Sequence, residues 1–88
     1  MYNVVISKPA IKDLERLDYF TKRIIIEWLE KHLKDTADPR QFGKPLSASR
    51  KGQWRYRVGD YRIIAKIEDD KLIILVIAIG HRIDIYLG

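Results

Sequence analysis

Apolar positions follow two different periods along this chain. From Ser7 to Leu33 they recur at three- and four-residue spacing: Ile11, Leu14 and Leu17, then Ile24, Ile25, Trp28, Leu29 and Leu33. That spacing predicts two amphipathic helices. Ser7 can cap the first, with Pro9 in the first turn where a missing N–H costs nothing, and Asp18 can cap the second. Almost no linker separates them, so they must fold back as a hairpin. A short strand, Tyr2 to Ile6, precedes them. From Trp54 the period becomes two: Trp54, Tyr56 and Val58 alternate with Gln53, Arg55 and Arg57. Gly59-Asp60 suits a two-residue hairpin turn, with Tyr61 to Ile67 as the return strand. Glu68 to Lys71 makes the next turn. Leu72 to Ile79, apolar on both faces, reads as a central strand ended by Gly80. Asp35 to Lys51, punctuated by Pro39, Gly43 and Pro45, reads as a loop ordered around Leu46. The expected fold is a single α+β domain over residues 1–88. It comprises an N-terminal strand, a helical hairpin and a three-stranded antiparallel meander, with the helices on one sheet face.

Composition narrows the class. A chain of 88 residues builds one small core. The absence of cysteine removes disulfides, thiolate metal sites and a thiol nucleophile, and fits a reducing cytoplasm. The N-terminus has no basic segment leading into a long apolar run, so no signal peptide is expected. The longest apolar run, Leu72 to Ile79, is far shorter than the about 20 residues of a membrane-spanning helix. A cytoplasmic protein without a membrane partner is expected.

Charge adds a candidate site. The net charge is +5, but it is unevenly distributed. Arg40, Lys44, Arg50, Lys51, Arg55, Arg57 and Arg62 lie in one segment whose only acid is Asp60. The rest of the chain is close to neutral. Such a segment is either the footprint of a polyanion ligand or simply a well-solvated loop. Strand register bears on the choice. With Gly59-Asp60 as the turn, Arg57 faces Arg62 and Arg55 faces Ile64, on the side away from Trp54, Tyr56, Tyr61 and Ile63. Like charges directly opposite weaken a ladder, and anion binding is the natural compensation. If Ile67 pairs with Leu72, Ile79 lies opposite Asp60, and Gly80-His81-Arg82 leaves the sheet beside these arginines. Tyr86 then returns to the same mouth.

The residue types point to metal-free RNA cleavage. No Ser-His-Asp set, phosphate-cradling glycine loop or metal-ligand spacing is present, and no cofactor is expected. In RNA the 2′-OH can attack the adjacent phosphate, so a protein need only align the strand, move protons and neutralise the transition state. Arginines do the last through forked bonds to phosphate oxygens. His81 carries the side-chain type that ordinarily titrates near neutrality, and Tyr86 can stack on a base or pass a proton. The plainer readings stand beside these: His81 as a turn residue, Tyr86 as a C-terminal anchor, and Trp54, Tyr56, Tyr61 and His32 as packing residues.

In the run Gly52-Gln53-Trp54-Arg55-Tyr56-Arg57-Val58-Gly59-Asp60-Tyr61-Arg62, preceded by Gly43-Lys44-Pro45-Leu46, the chain resembles the RelE toxins of the RelE/ParE superfamily. The segment Gly80-His81-Arg82-Ile83-Asp84-Ile85-Tyr86 carries the same resemblance. These toxins are the toxic halves of prokaryotic type II toxin–antitoxin pairs. The resemblance implies a helical hairpin on an antiparallel sheet and metal-independent cleavage of mRNA in the ribosomal A site. It also implies a RelB-like antitoxin that masks the basic face and carries the DNA-binding part for autoregulation of the operon. By position, Arg62 and Arg82 match the family arginines at the scissile phosphate, and Tyr86 the tyrosine that orients the nucleotide. Arg55 and Arg57 stand where the best-known members have lysines. An arginine cannot serve as a base, which makes these two phosphate-positioning groups and leaves His81 and Tyr86 to move protons. Lys44, Arg50 and Lys51 are the expected further RNA contacts. The ParE branch shares the fold but inhibits DNA gyrase without an enzymatic step, and is the alternative.

Overall fold

The computed structural model describes residues 1–46 and 52–81. Strand β1 (Asn3–Ile6) leads into helices α1 (Lys8–Glu15) and α2 (Tyr19–His32). Then follow β2 (Lys44–Pro45), β3 (Gln53–Val58), β4 (Tyr61–Glu68) and β5 (Ile73–His81), in a single sheet ordered β1-β5-β4-β3-β2. Both expected caps form. Ser7 Oγ accepts from the Ala10 amide at 3.3 Å, and Asp18 Oδ2 from the Thr21 amide at 3.2 Å. No helix among the described residues is long and apolar enough to cross a membrane.

Two features depart from a pure meander. β1 runs parallel to β5 and covers its outer edge, with the Asn3 amide donating to Leu72 O at 2.8 Å and the Ser7 amide to Val76 O at 3.0 Å. An apolar strand gains a ladder on both edges in this way. Within the expected loop, Lys44 and Pro45 pair with Arg55 and Trp54 as a two-residue edge strand. An edge position tolerates the proline, which has no N–H to offer.

The core lies between the helices and one sheet face. Ala10 and Leu14 of α1, and Ile25 and Leu29 of α2, pack with Leu33 against Tyr56, Ile63, Ala65, Ile74 and Val76. The helical stripe is narrower than the spacing implies: Ile11 and Ile24 point outward, 45% and 56% exposed. On α1 the fully buried Ala10 occupies the place expected of Ile11, a small side chain that lets the helix approach the sheet closely.

The first hairpin has the expected register, with Val58 opposite Tyr61, Arg57 opposite Arg62 and Arg55 opposite Ile64. The second does not. A tight helical turn at Asp69–Lys71 closes on Leu72 in the left-handed region (φ 54°), so the strand starts one residue later. Ile67 therefore pairs with Ile74 rather than Leu72. A bulge then shifts the register again: Ala65 opposes Val76 while Ile64 opposes Ala78, leaving Ile77 as the extra residue. Ile79 consequently lies opposite Ile63 rather than Asp60, and β5 continues through Gly80 to His81.

Candidate anion-binding cleft

The arginine face of the β3–β4 hairpin forms one wall of a cleft of about 250 Å³ lined by Gly43, Lys44, Arg55, Tyr56, Arg57 and Arg62. Two like-charged pairs stand across adjacent ladders, Lys44 opposite Arg55 and Arg57 opposite Arg62. Arg57 is exposed and its Nε donates to Gly59 O at 3.1 Å, which turns the side chain back toward the hairpin tip. Arg62 is half-buried, with its Nε shielded from solvent. Desolvation strengthens the hold of a guanidinium on an anion.

The loop carrying Gly43 and Lys44 is pinned by side chains from the opposite face. Trp54 Nε1 donates to Phe42 O and the Tyr56 hydroxyl to Pro39 O, each at 2.6 Å. Further back, Arg40 forks onto Asp69 at 2.9 and 3.0 Å, and the Tyr2 hydroxyl donates to the same carboxylate at 2.7 Å. The Arg40 hydrogen bonds first, then that of Tyr2, hold the Asp69 carboxyl down at about 2. Burial pushes the Tyr56 phenol well above its ordinary range, so it remains a hydrogen-bond donor. Trp28 and Phe42 flank the half-buried His32 at ring separations of 5.0 and 4.9 Å, the packing role expected of that histidine.

His81 does not join the arginines. Directly opposite Tyr61, it stands on the helix side of the sheet with the two rings edge-on at 5.5 Å. There it lines a separate cavity of about 320 Å³ with Asp13, Arg16 and Leu17. The bulge at Ile77 is the cause, because one extra residue exchanges the faces of everything beyond it. Gly80, not a side chain, is what β5 sets opposite Arg62. Arg50, Lys51, Arg82 and Tyr86 lie outside the described residues. Asp13 is a position that the sequence left without a role, and Gly43 one that it marked only as loop punctuation and part of a motif, not for its close approach to β3. The glycine is announced only by the proline two positions on, and the aspartate's partner is 66 residues away. Among the described residues, no group of three or more His, Cys, Asp or Glu could hold a metal ion. What the cleft offers chemically is dense positive charge on a rigid ladder, suited to a phosphodiester.

Comparison with known proteins agrees with this architecture. Residues 4–86 match the family described as the ParE toxin of the type II toxin–antitoxin system parDE. Toxin RelG of Mycobacterium tuberculosis is 29% identical over 85 residues, covering 97% of this chain and 95% of that protein. Toxin RelE of the same organism is 32% identical over 81 residues, covering 92% and 81%. A chain of the M. tuberculosis toxin–antitoxin complex RelBE2 superposes with a TM-score of 0.82 at 27% identity, covering 92% of this chain and 91% of that one. The chain belongs to the RelE/ParE superfamily of toxins from type II toxin–antitoxin systems.

Proposed function

We propose that this toxin is a ribosome-dependent, metal-independent endoribonuclease that cleaves mRNA in the A site, acting in the cytoplasm. The observation that carries the proposal is the Arg57–Arg62 pair, extended by Lys44 and Arg55 along one cleft. A ladder that sets cation against cation twice is poorly built for stability and well built to grip a phosphodiester. In the reaction the 2′-oxygen attacks the neighbouring phosphorus. The bond to the 5′-oxygen breaks, the 2′-hydroxyl loses its proton and the departing oxygen gains one. Arg62 and Arg57 neutralise the charge gathering on the non-bridging oxygens, as Arg82 would by family resemblance. Lys44 and Arg55 orient the strand, with Arg50 and Lys51 as further expected contacts. His81 is turned to the helix side, which leaves Tyr86 as the proton-transfer candidate.

The partner is a RelB-like antitoxin, by analogy with the M. tuberculosis relative that forms a toxin–antitoxin complex. The name of the matching family favours one other reading, non-enzymatic inhibition of DNA gyrase. A single experiment separates them. In a defined translation system, mapping of mRNA ends by primer extension is expected to reveal ribosome-dependent breaks within codons. Arg62→Ala should reduce them about 10²–10³-fold, the usual cost of removing a preorganised charge donor. Intact message together with trapped gyrase–DNA complexes would establish the gyrase reading instead.

A further inference from the structure

We infer that Asp13, on α1, is a positioning residue for the cleft on the other side of the sheet, acting through the backbone of Ile79. This rests on the phosphodiester-binding reading above and adds a residue to it. β1 accompanies β5 only as far as Val76, where Ile6 is its last partner and the Ser7 amide closes the ladder on Val76 O. Beyond that point, among the described residues, β5 is paired through β4 alone, and it is there that the bulge at Ile77 falls. A bulged strand end with a ladder on one edge frays readily and can slip by a residue. Asp13 supplies the missing neighbour. Its Oδ2 accepts from the Ile79 amide at 3.0 Å, across 66 positions of sequence, in a partly buried contact.

Register is what this bond protects. Ile79 pairs with Ile63 and Gly80 with Arg62. A slip of one residue in either direction would set Ile79 or His81, rather than a glycine, beside Arg62 on the arginine face and press on the side chain that lines the cleft. Gly80 also borders the cavity on the helix side, so the sheet is one backbone thick between Asp13's surroundings and the arginine face. Asp13 thus need not touch the anion to govern how it is held.

The test uses inorganic phosphate as the probe and three full-length proteins: the parent chain, Asp13→Ala and Asp13→Asn. Exchange of the Ile79 amide, and phosphate affinity followed through the Arg57 and Arg62 signals, are the readouts. In Asp13→Ala the Ile79 amide should exchange at least tenfold faster, with phosphate affinity several-fold weaker. Asp13→Asn keeps a side-chain carbonyl as acceptor and should recover most of both. A role in general stability alone would leave the phosphate affinity of the folded Asp13→Ala protein unchanged. Unaltered phosphate affinity in Asp13→Ala, or equal losses in Ala and Asn, would overturn the inference while leaving the cleft standing. Failure of the parent chain to bind phosphate would overturn both.

Discussion

At Gly43 one hydrogen atom decides whether Lys44 reaches the cleft. The backbone there has φ +75°, and a Cβ would overlap the carbonyl oxygen of Arg55 while pressing on Trp54 Nε1 at 2.9 Å. Arg55 belongs to a paired strand and cannot yield, so Gly43→Ala must push β2 off β3. A loss of about 2 kcal/mol in denaturant unfolding is expected, from strain at positive φ plus the displaced contact. Gly59 has φ +60° but open space around it, so alanine there meets only the backbone strain and should cost less. Asp69 gives a second residue-level outcome. Its carboxyl is held at about 2, below the unfolded value of roughly 3.9, so the native state binds that proton later than the unfolded chain does. The stabilisation is complete above the unfolded value and disappears as pH falls from about 4 through about 2. Melting temperature followed over that acid range should therefore fall less steeply in Asp69→Asn. The Arg57–Arg62 opposition was legible in the sequence because a two-residue turn dictates it. The positions of Gly43 and Asp13 were not, because close approach and a bond 66 residues long leave no periodic trace.

The two hairpins of this sheet differ in how plainly their turn residues set the register. Gly59-Asp60 announces a two-residue loop, and the register follows from the alternation on either side. The second turn conceals an apolar residue, Leu72, in a left-handed conformation that leucine seldom adopts. The bulge at Ile77 sits inside an unbroken apolar run, where nothing marks an extra residue. Helix ends, by contrast, were legible at Ser7 and Asp18 because a capping side chain has a fixed chemical task. Arg57→Thr examines the hairpin whose register was foreseen. It removes a like-charge opposition worth a few tenths to ~1 kcal/mol and installs a good strand former. It also gives up the exposed bond to Gly59 O. Unfolding stability should stay level or rise slightly, and any gain should shrink in high salt, where repulsion is already screened. Sulfate should raise the melting temperature of the parent chain more than that of the variant, because an anion bound only by the folded state stabilises by mass action. Marked destabilisation with equal sulfate effects would remove Arg57 from the anion site.

The whole molecule presents two faces with different chemistry. The basic cleft occupies the sheet face, while the outer side of α2 carries Tyr19, Phe20 and Ile24, exposed by 66%, 73% and 56%. Phe20 and Ile24 are neighbours along the helix at four-residue spacing, and the Tyr19 ring meets that of Phe20 edge-on at 6.0 Å. Large apolar side chains so open contribute little to this chain's own core, and their buried counterparts Ile25 and Leu29 lie on the other side of α2. Such a strip suits the apolar stripe of a partner helix, as an antitoxin would present. If the sheet face acts on RNA and the antitoxin expected to mask that face is anchored also on the helix face, the two roles can be separated by mutation. Phe20→Ser should change the unfolding free energy only within the small range typical of exposed sites, about ±0.5 kcal/mol. It should keep the toxin active in translation yet weaken neutralisation by the co-expressed antitoxin by tenfold or more. Arg62→Ala should do the opposite, giving a protein that still binds antitoxin through the helix face but no longer arrests growth. Growth curves with toxin and antitoxin under separate promoters, together with affinities for the purified pair, measure both halves. Antitoxin binding unchanged by Phe20→Ser and lost in Arg62→Ala would mean that the antitoxin is held by the basic cleft itself, which then serves both partners in turn.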